Sequence, residues 1–239
     1  MSGVRVLGAG LAGCEAALWL ADKGVPVELV EQKPARKSPA HKSENFAELV
    51  CSNSLKADRP DSASGLLKAE MDLLGSHLLP VARRVRVAAG GALAVDRDAF
   101  SAGVTALVES QPNITVVRKE AVCLDESLPT LVATGPLTDG PLADAIAEVT
   151  GGDELSFYDA AAPIVTAESL DMSRIFAASR YGRGDADYLN CPFNKEEYEA
   201  FHAALVSAQR AELHAFDGDL TVYEGCMPIE VMASRGADT

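Results

Sequence analysis

The chain has 239 residues, 48% of them hydrophobic but only 5% aromatic, and a formal net charge of −14. That length holds one large or two modest cores, and the composition fits an ordinary α/β protein. No apolar run approaches the roughly eighteen residues of a membrane span, and the first residues enter a strand without a basic-then-apolar secretory pattern. A cytoplasmic protein without a membrane partner is therefore expected. The charge is uneven: the first 120 residues carry 15 Lys+Arg against 14 Asp+Glu, and the remainder 6 against 21. An anionic partner should therefore meet the N-terminal half, where Arg36, Lys37, Lys42, Lys56, Arg59, Arg83, Arg84 and Arg86 lie.

Val4, Val6 and Leu7 read as a short buried strand running into Gly8-Ala9-Gly10-Leu11-Ala12-Gly13. A helix is expected over Cys14 to Lys23, stopped by Gly24, and a second strand over Val25 to Val30 delivers Glu31. Strand, glycine turn, helix, strand and acid in that order form the dinucleotide-binding fingerprint. Gly8 permits the tight turn, Gly10 lets backbone approach a pyrophosphate, and Gly13 lets helix and strand pack. The helix N-terminus offers free N–H groups to phosphate, and Glu31 can accept hydrogen bonds from a ribose. The motif alone does not separate FAD from NAD.

A proline-broken loop follows Glu31, and the polar cluster from Cys51 to Lys56 reads as a turn or helix cap. Ser64 to Leu74 is expected to be helical, with Leu67, Met71 and Leu74 on one side. Arg83 to Ala88 and Ala92 to Val95 read as strands joined through Gly90-Gly91 in a hairpin. Asp96 should cap a helix reaching Ser110. Strands are expected over Ile114 to Val117 and Leu131 to Ala133, the latter ending at Thr134-Gly135, where small residues allow backbone to approach a cofactor. Pro141 to Val149 reads as a helix stopped by Gly151-Gly152. Beyond it lie a strand-like Leu155 to Val165, a loop at 181–185, a long acidic helix from Lys195 to Leu213, and a strand from Leu220 to Tyr223. The fold class is α/β: a Rossmann-like FAD-binding domain over residues 1–152 and a smaller α+β insertion domain over 153–239.

The five cysteines are odd in number, scattered and without metal-pair spacing, so free thiols are expected and no metal site. Cys226 follows a glycine at a strand end and precedes Pro228, which suggests an exposed turn. Cys51 has Ser52, Asn53, Ser54 and Lys56 beside it, groups able to stabilise a thiolate. Cys14 reads as packing despite its place at a helix start, and Cys123 and Cys191 likewise as packing residues.

Six segments together resemble one family: Gly8–Ala17, Glu48–Lys56, Gly91–Arg97, Ala133–Leu137, Tyr188–Pro192 and Tyr223–Glu230. They are similar to the folate- and FAD-dependent tRNA uridine methyltransferases (TrmFO, once called Gid). The resemblance runs the length of this chain but covers only about the first half of a family member. It implies FAD on Gly8 to Gly13 and Glu31, reduction by NAD(P)H, and methylenetetrahydrofolate as one-carbon donor. The carbon is passed by way of the flavin to C5 of the T-loop uridine at tRNA position 54. By the same resemblance Cys226 attacks C6 of the uracil, and Cys51 is the second catalytic thiol, serving the flavin-bound carbon or removing the C5 proton; the two are expected to face one cavity. The acidic second half is unpromising for tRNA, whose phosphates ordinarily meet Lys and Arg. Two rival readings stand beside the enzyme: a short homologue kept as a binding or regulatory protein, and a general FAD/NAD oxidoreductase. A chain of this length is expected to hold FAD weakly, to self-associate and to transfer little methyl.

Overall fold

The computed structural model describes residues 3–125, 127–152, 165–179, 182, 185–209 and 229–238. The chain divides into two compact units, residues 1–155 and 156–239. In the first unit, β1 (Val4–Leu7), α1 (Leu11–Asp22) and β2 (Val27–Glu31) form the opening parallel pair and its crossover helix. β1 is aligned with β2 from Val4↔Val27 to Leu7↔Val30. Strands β3 (Ser54–Ala57), β4 (Arg86–Val87) and β5 (Ala92–Val95) form a small antiparallel sheet, ordered β3-β5-β4. Helices α2 (Ala63–Leu73) and α3 (Leu78–Arg84) lie between β3 and β4 in the chain, and α4 (Arg97–Glu109) follows β5. Strands β6 (Ile114–Arg118) and β7 (Thr130–Val132) complete a four-stranded parallel sheet ordered β6-β2-β1-β7, followed by α5 (Gly140–Thr150).

Parallel strands connected through helices must be covered on both faces, and they are. Val6 and Leu29 point into the main core with Leu18 of α1, Val81 of α3, and Phe100, Val104 and Val108 of α4. Leu7 and Val30, next along their strands, face the other way and pack with Leu142 of α5. The period-two alternation of the strands thus builds a helix–sheet–helix layering. Asp96 caps α4 by accepting from the Ala99 N–H at 3.0 Å, and Gly151 ends α5 in the left-handed conformation, φ 63°.

Three expectations change. Helix α1 begins at Leu11 rather than Cys14, so Leu11, Ala12 and Gly13 form its first turn. Residues 54–57 are a strand rather than a turn or cap: Ser54 lies opposite Ala94 and Ala57 opposite Ala92, with an irregularity between them where Lys56 has φ 67°. Residues 78–84 are helical where a strand was expected from Arg83: Ser76 caps the helix locally, its hydroxyl accepting from the Leu79 N–H at 3.3 Å, and a second cap comes from afar. Glu15 of α1 accepts from the N–H groups of His77 at 2.6 Å and Leu78 at 3.2 Å. The expected hairpin survives in shortened form, with Arg86↔Val95 and Val87↔Ala94 in register.

In the second unit, β8 (Phe176–Ala178) pairs antiparallel with β9 (Tyr188–Asn190), and helices α6 (Lys195–Ser207) and α7 (Ile229–Ser234) follow. Asn194 and Glu197 form a reciprocal capping box at the start of α6. The stretch expected as strand over 155–165 lies outside the described residues except at Val165, and the strand expected over 220–223 lies wholly outside them. Helix α6 ends at Ser207, with Ala208 extended at ψ 146°, short of the Leu213 that was expected.

Gly13 and Gly10 differ in what a side chain would meet. A Cβ on Gly13 would lie 1.8 Å from the Gly8 carbonyl oxygen, whereas one on Gly10 meets nothing within 4 Å. Gly13→Ala is expected to lower unfolding stability in urea by more than about 2 kcal/mol, and Gly10→Ala by less than about 1 kcal/mol. Equal losses would mean the turn relaxes freely.

Candidate functional site

The site grows from the peptide of Ala9. Gly8 leaves β1 with φ 93°, and a Cβ there would lie 2.6 Å from the Ala133 carbonyl and 2.8 Å from Thr134 Cα. Only glycine fits that conformation and that closeness. The Gly8 N–H donates to Val30 at 2.8 Å, so the turn is tied to β2 before α1 begins.

The amino end of α1 is bare. Gly10 occupies the capping position with φ −74° and ψ −170°, and no side chain caps the helix. The first backbone bond of the helix runs from the Cys14 N–H to the Gly10 carbonyl at 3.0 Å. The N–H groups of Leu11, Ala12 and Gly13 therefore precede the helical ladder, where an anion is favoured by both dipole and donors. Gly10 has no strained conformation to satisfy. Its missing side chain leaves open space directly before those donors.

Glu31, at the end of β2, is only 6% exposed. One carboxylate oxygen accepts from the Ala9 N–H and the other from the Lys33 N–H, both at 2.9 Å. An ionised carboxylate has about four acceptor positions, so two such bonds fix its orientation and leave capacity for ribose hydroxyls. Thr134 and Gly135, beyond β7, border the same turn; Gly135 has φ 79°, and the Thr134 hydroxyl lies 2.6 Å from that of Thr138. The structure thus brings Gly8, Ala9, Gly10, Leu11, Ala12, Gly13, Glu31 and Thr134 together at the carboxyl ends of β1, β2 and β7, where open parallel sheets bind ligands.

The thiols separate by environment. Cys14 is fully buried, its S–H donating to the Ala9 carbonyl at 3.3 Å, and burial followed by the Glu31 carboxylate pushes it up to about 12. It is packing, as its neighbours suggested. Cys51 is exposed at a bend just before β3. Cys123 and Cys191 are also exposed, which corrects their assignment as packing residues. Both lie in connections, Cys123 between β6 and β7 and Cys191 just after β9, where no sheet or helix face covers them. Cys226 lies outside the described residues, and with it the expected shared cavity.

Two residues escaped sequence reasoning, Lys33 and Glu48. Lys33 is 5% exposed, donates from Nζ to the Asn45 carbonyl and lies 3.6 Å from Glu48. Glu48 accepts from the N–H groups of Lys42 at 2.9 Å and Ser43 at 3.0 Å. Burial pushes the Glu48 carboxyl up, but these two donors together with Lys33 hold it below its usual range. Nearby His41 is held below the ordinary imidazole value, by burial first and then by Lys33. The only sequence signal was that Glu48 opens the segment containing Cys51.

Beside the turn lies an apolar cleft of about 800 Å³, bordered by Leu11, Trp19, Leu67, Met71, Leu74 and Leu131. Leu67 of α2 and Leu74 just after it are 56% and 76% exposed, while Met71 between them packs against the main core. Among the described residues no cluster of His, Cys, Asp and Glu is arranged to hold a metal, and no helix is long and apolar enough to cross a membrane.

Fold and turn together define a Rossmann-like dinucleotide-binding domain. The family model of glucose inhibited division protein A matches residues 3–239, and the chain belongs to that family. It is 57% identical over 236 residues to the methylenetetrahydrofolate–tRNA-(uracil-5-)-methyltransferase TrmFO of Moorella thermoacetica, a match covering 99% of this chain and 54% of the relative. The TrmFO of Acetivibrio thermocellus is 55% identical over the same shares. The chain therefore spans about half the length of these relatives. The solved GidA-related protein of Thermus thermophilus is 23% identical over 52% of this chain and 40% of its own, with a TM-score of 0.29, too low to bear on the fold.

Cys14 should resist iodoacetamide at pH 8 while Cys51, Cys123 and Cys191 are modified, as read by peptide mass spectrometry. Because the folded thiol titrates above its ordinary value of 9.0, its stabilising contribution is complete below pH 9 and is lost as pH rises towards 12. Cys14→Ala should flatten that alkaline loss. Early labelling of Cys14 at pH 8 would contradict the packing assigned to it.

Proposed function

We propose that this chain carries the FAD-binding half of a methyltransferase acting on C5 of the T-loop uridine, position 54, of tRNA. Methylenetetrahydrofolate is the proposed carbon donor and NAD(P)H the proposed reductant. The observation that carries the reading is the bare amino end of α1 opposite the Glu31 carboxylate, in a chain so similar to proteins named as TrmFO.

The residues present fit the cofactor. The N–H groups of Leu11, Ala12 and Gly13 would hold the pyrophosphate, Gly10 would leave it room, and Glu31 would take the ribose hydroxyls. Thr134 and Gly135 would let backbone run close beside it. When bound, FAD supplies the redox chemistry that brings the donated carbon to the methyl level.

The proposed roles of the thiols follow from uracil chemistry. C5 of uracil is a poor nucleophile until C6 is attacked. The Cys226 thiolate adds to C6, forming a C–S bond and moving the C5–C6 π pair towards C5 and the C4 carbonyl. C5 then attacks the one-carbon unit, whose bond to its carrier nitrogen breaks with the electron pair leaving on that nitrogen. C5 gives up its own proton to a base, for which Cys51 is proposed, and the two electrons that bring the carbon to the methyl level come from the proposed NAD(P)H. The C–S bond breaks, the double bond returns and the thiolate leaves. The basic residues of the first half favour an RNA phosphate backbone there over the acidic remainder.

The exposed apolar cleft supports self-association of a chain that spans half the length of its relatives. FAD is expected to bind at this turn. Gly10→Val should abolish that binding, by filling the space before the helix. Sedimentation should show oligomers, which Leu74→Lys shifts towards monomer. Methyl incorporation into tRNA and folate-dependent NADPH oxidation should be little or none. A yellow monomer with one FAD per chain and full methyl transfer would overturn the half-enzyme reading, and unchanged affinity in Gly10→Val would sink the site. A protein that binds tRNA but never FAD would favour the regulatory homologue.

A further inference from the structure

Both polar groups of the Ala9 peptide are committed to one loop. Its N–H donates to Glu31, while its carbonyl accepts from the Ala47 N–H at 2.9 Å. Glu31 and Ala47 are joined in turn through Lys33. The Lys33 backbone N–H donates to Glu31, its buried ammonium donates to the Asn45 carbonyl, and the ammonium faces Glu48 at 3.6 Å. These contacts close a circuit from the glycine turn, through the acid at the end of β2, to residues 45–48 and back to the turn.

The returning segment is held from the core side as well. Phe46 is fully buried; its N–H donates to the Thr105 hydroxyl at 2.8 Å and its carbonyl accepts from the Ser101 hydroxyl at 2.6 Å. Ala47 has φ 49°, a conformation that L-residues adopt only where their surroundings impose it. Three residues beyond Glu48 stands Cys51. The Leu49 carbonyl between them accepts from the Arg97 guanidinium at 3.2 Å.

We propose that Lys33 and Glu48 are positioning residues that couple the nucleotide turn to the Cys51 segment. Lys33 carries a charge into a place where Glu48 is its ion-pair partner, so loss of either strands the other in low dielectric. The pair fixes where residues 45–48 sit, those residues hold the Ala9 carbonyl, and the Ala9 N–H orients Glu31. A ligand that engages Glu31 and the α1 amino end therefore favours the closed circuit. By linkage, the closed circuit favours the ligand to the same degree. Cys51, at the end of the same short segment, is set in place when the nucleotide is. The inference rests on the proposed nucleotide site, and its first test needs no nucleotide.

In the ligand-free chain, hydrogen exchange should quicken at least tenfold over both residues 8–14 and 42–49 in Glu48→Gln. The α4 core around Val104 should exchange as before. Lys33→Met should do the same, whereas Lys33→Arg, which keeps the charge, should stay close to the parent. Quickening confined to residues 42 and 43, whose amides Glu48 itself receives, would overturn the coupling. So would unchanged exchange throughout.

The second test uses ADP, which presents the adenine, ribose and pyrophosphate of a dinucleotide without its second half. Saturating ADP should slow iodoacetamide labelling of Cys51 at least threefold in the parent and in Lys33→Arg, but not in Glu48→Gln, with Cys191 labelling as the internal reference. Equal slowing in Glu48→Gln would overturn the proposal. If ADP binds no form of the protein, the nucleotide site itself fails, and the ligand-free exchange decides whether the circuit exists. Should Glu48→Gln fail to fold, as judged by its circular dichroism, the pairing of Lys33→Met with Lys33→Arg gives the same comparison.

Discussion

Everything around the glycine turn depends on one buried peptide, that of Ala9. Its N–H is bound by Glu31, and its carbonyl accepts from both the Ala47 N–H and the Cys14 thiol. Buried backbone groups must be paired, and here the pairing does positional work. With the Ala9 N–H given to Glu31, the acid at the end of β2 is held against the turn. Beyond the Gly10 cap, the amides of Leu11, Ala12 and Gly13 remain before the helical ladder of α1. One peptide thereby separates the groups that hold the fold from those that can hold a ligand.

The three glycines of the turn divide the same way. Gly8 and Gly13 answer to the protein, one to a left-handed turn against β7 and the other to contact between α1 and Gly8. Gly10 answers to nothing within the chain. A motif that looks uniform in sequence is thus two packing glycines and one that leaves space, and only the last is evidence for a ligand.

The parallel sheet was legible because its strands alternate over short apolar runs and its turns carry glycine. Glu31 was legible for its place at a strand end after the fingerprint. Helix α3 was not, because Pro80 blurs the helical pattern and Glu15, which reinforces the local cap at Ser76, lies more than sixty residues earlier. Strand β3 was hidden by its polar residues and by the irregular step at Lys56, tolerable only because β5 supplies the partner. Cys123 and Cys191 were read as filler for lack of chemical neighbours, but cysteine burial depends on what covers the connection, and nothing local encodes that. Lys33 and Glu48 were invisible as a pair, since fifteen residues of irregular chain separate them.

The central claim is that the amino end of α1 receives the pyrophosphate of a dinucleotide. It is tested most directly by amide chemical shifts of isotopically labelled protein titrated with FAD. The largest shifts should fall on Leu11, Ala12 and Gly13, with a smaller one on Ala9 as Glu31 takes up the ribose. Shifts confined to residues lining the apolar cleft, with those three amides unmoved, would contradict it.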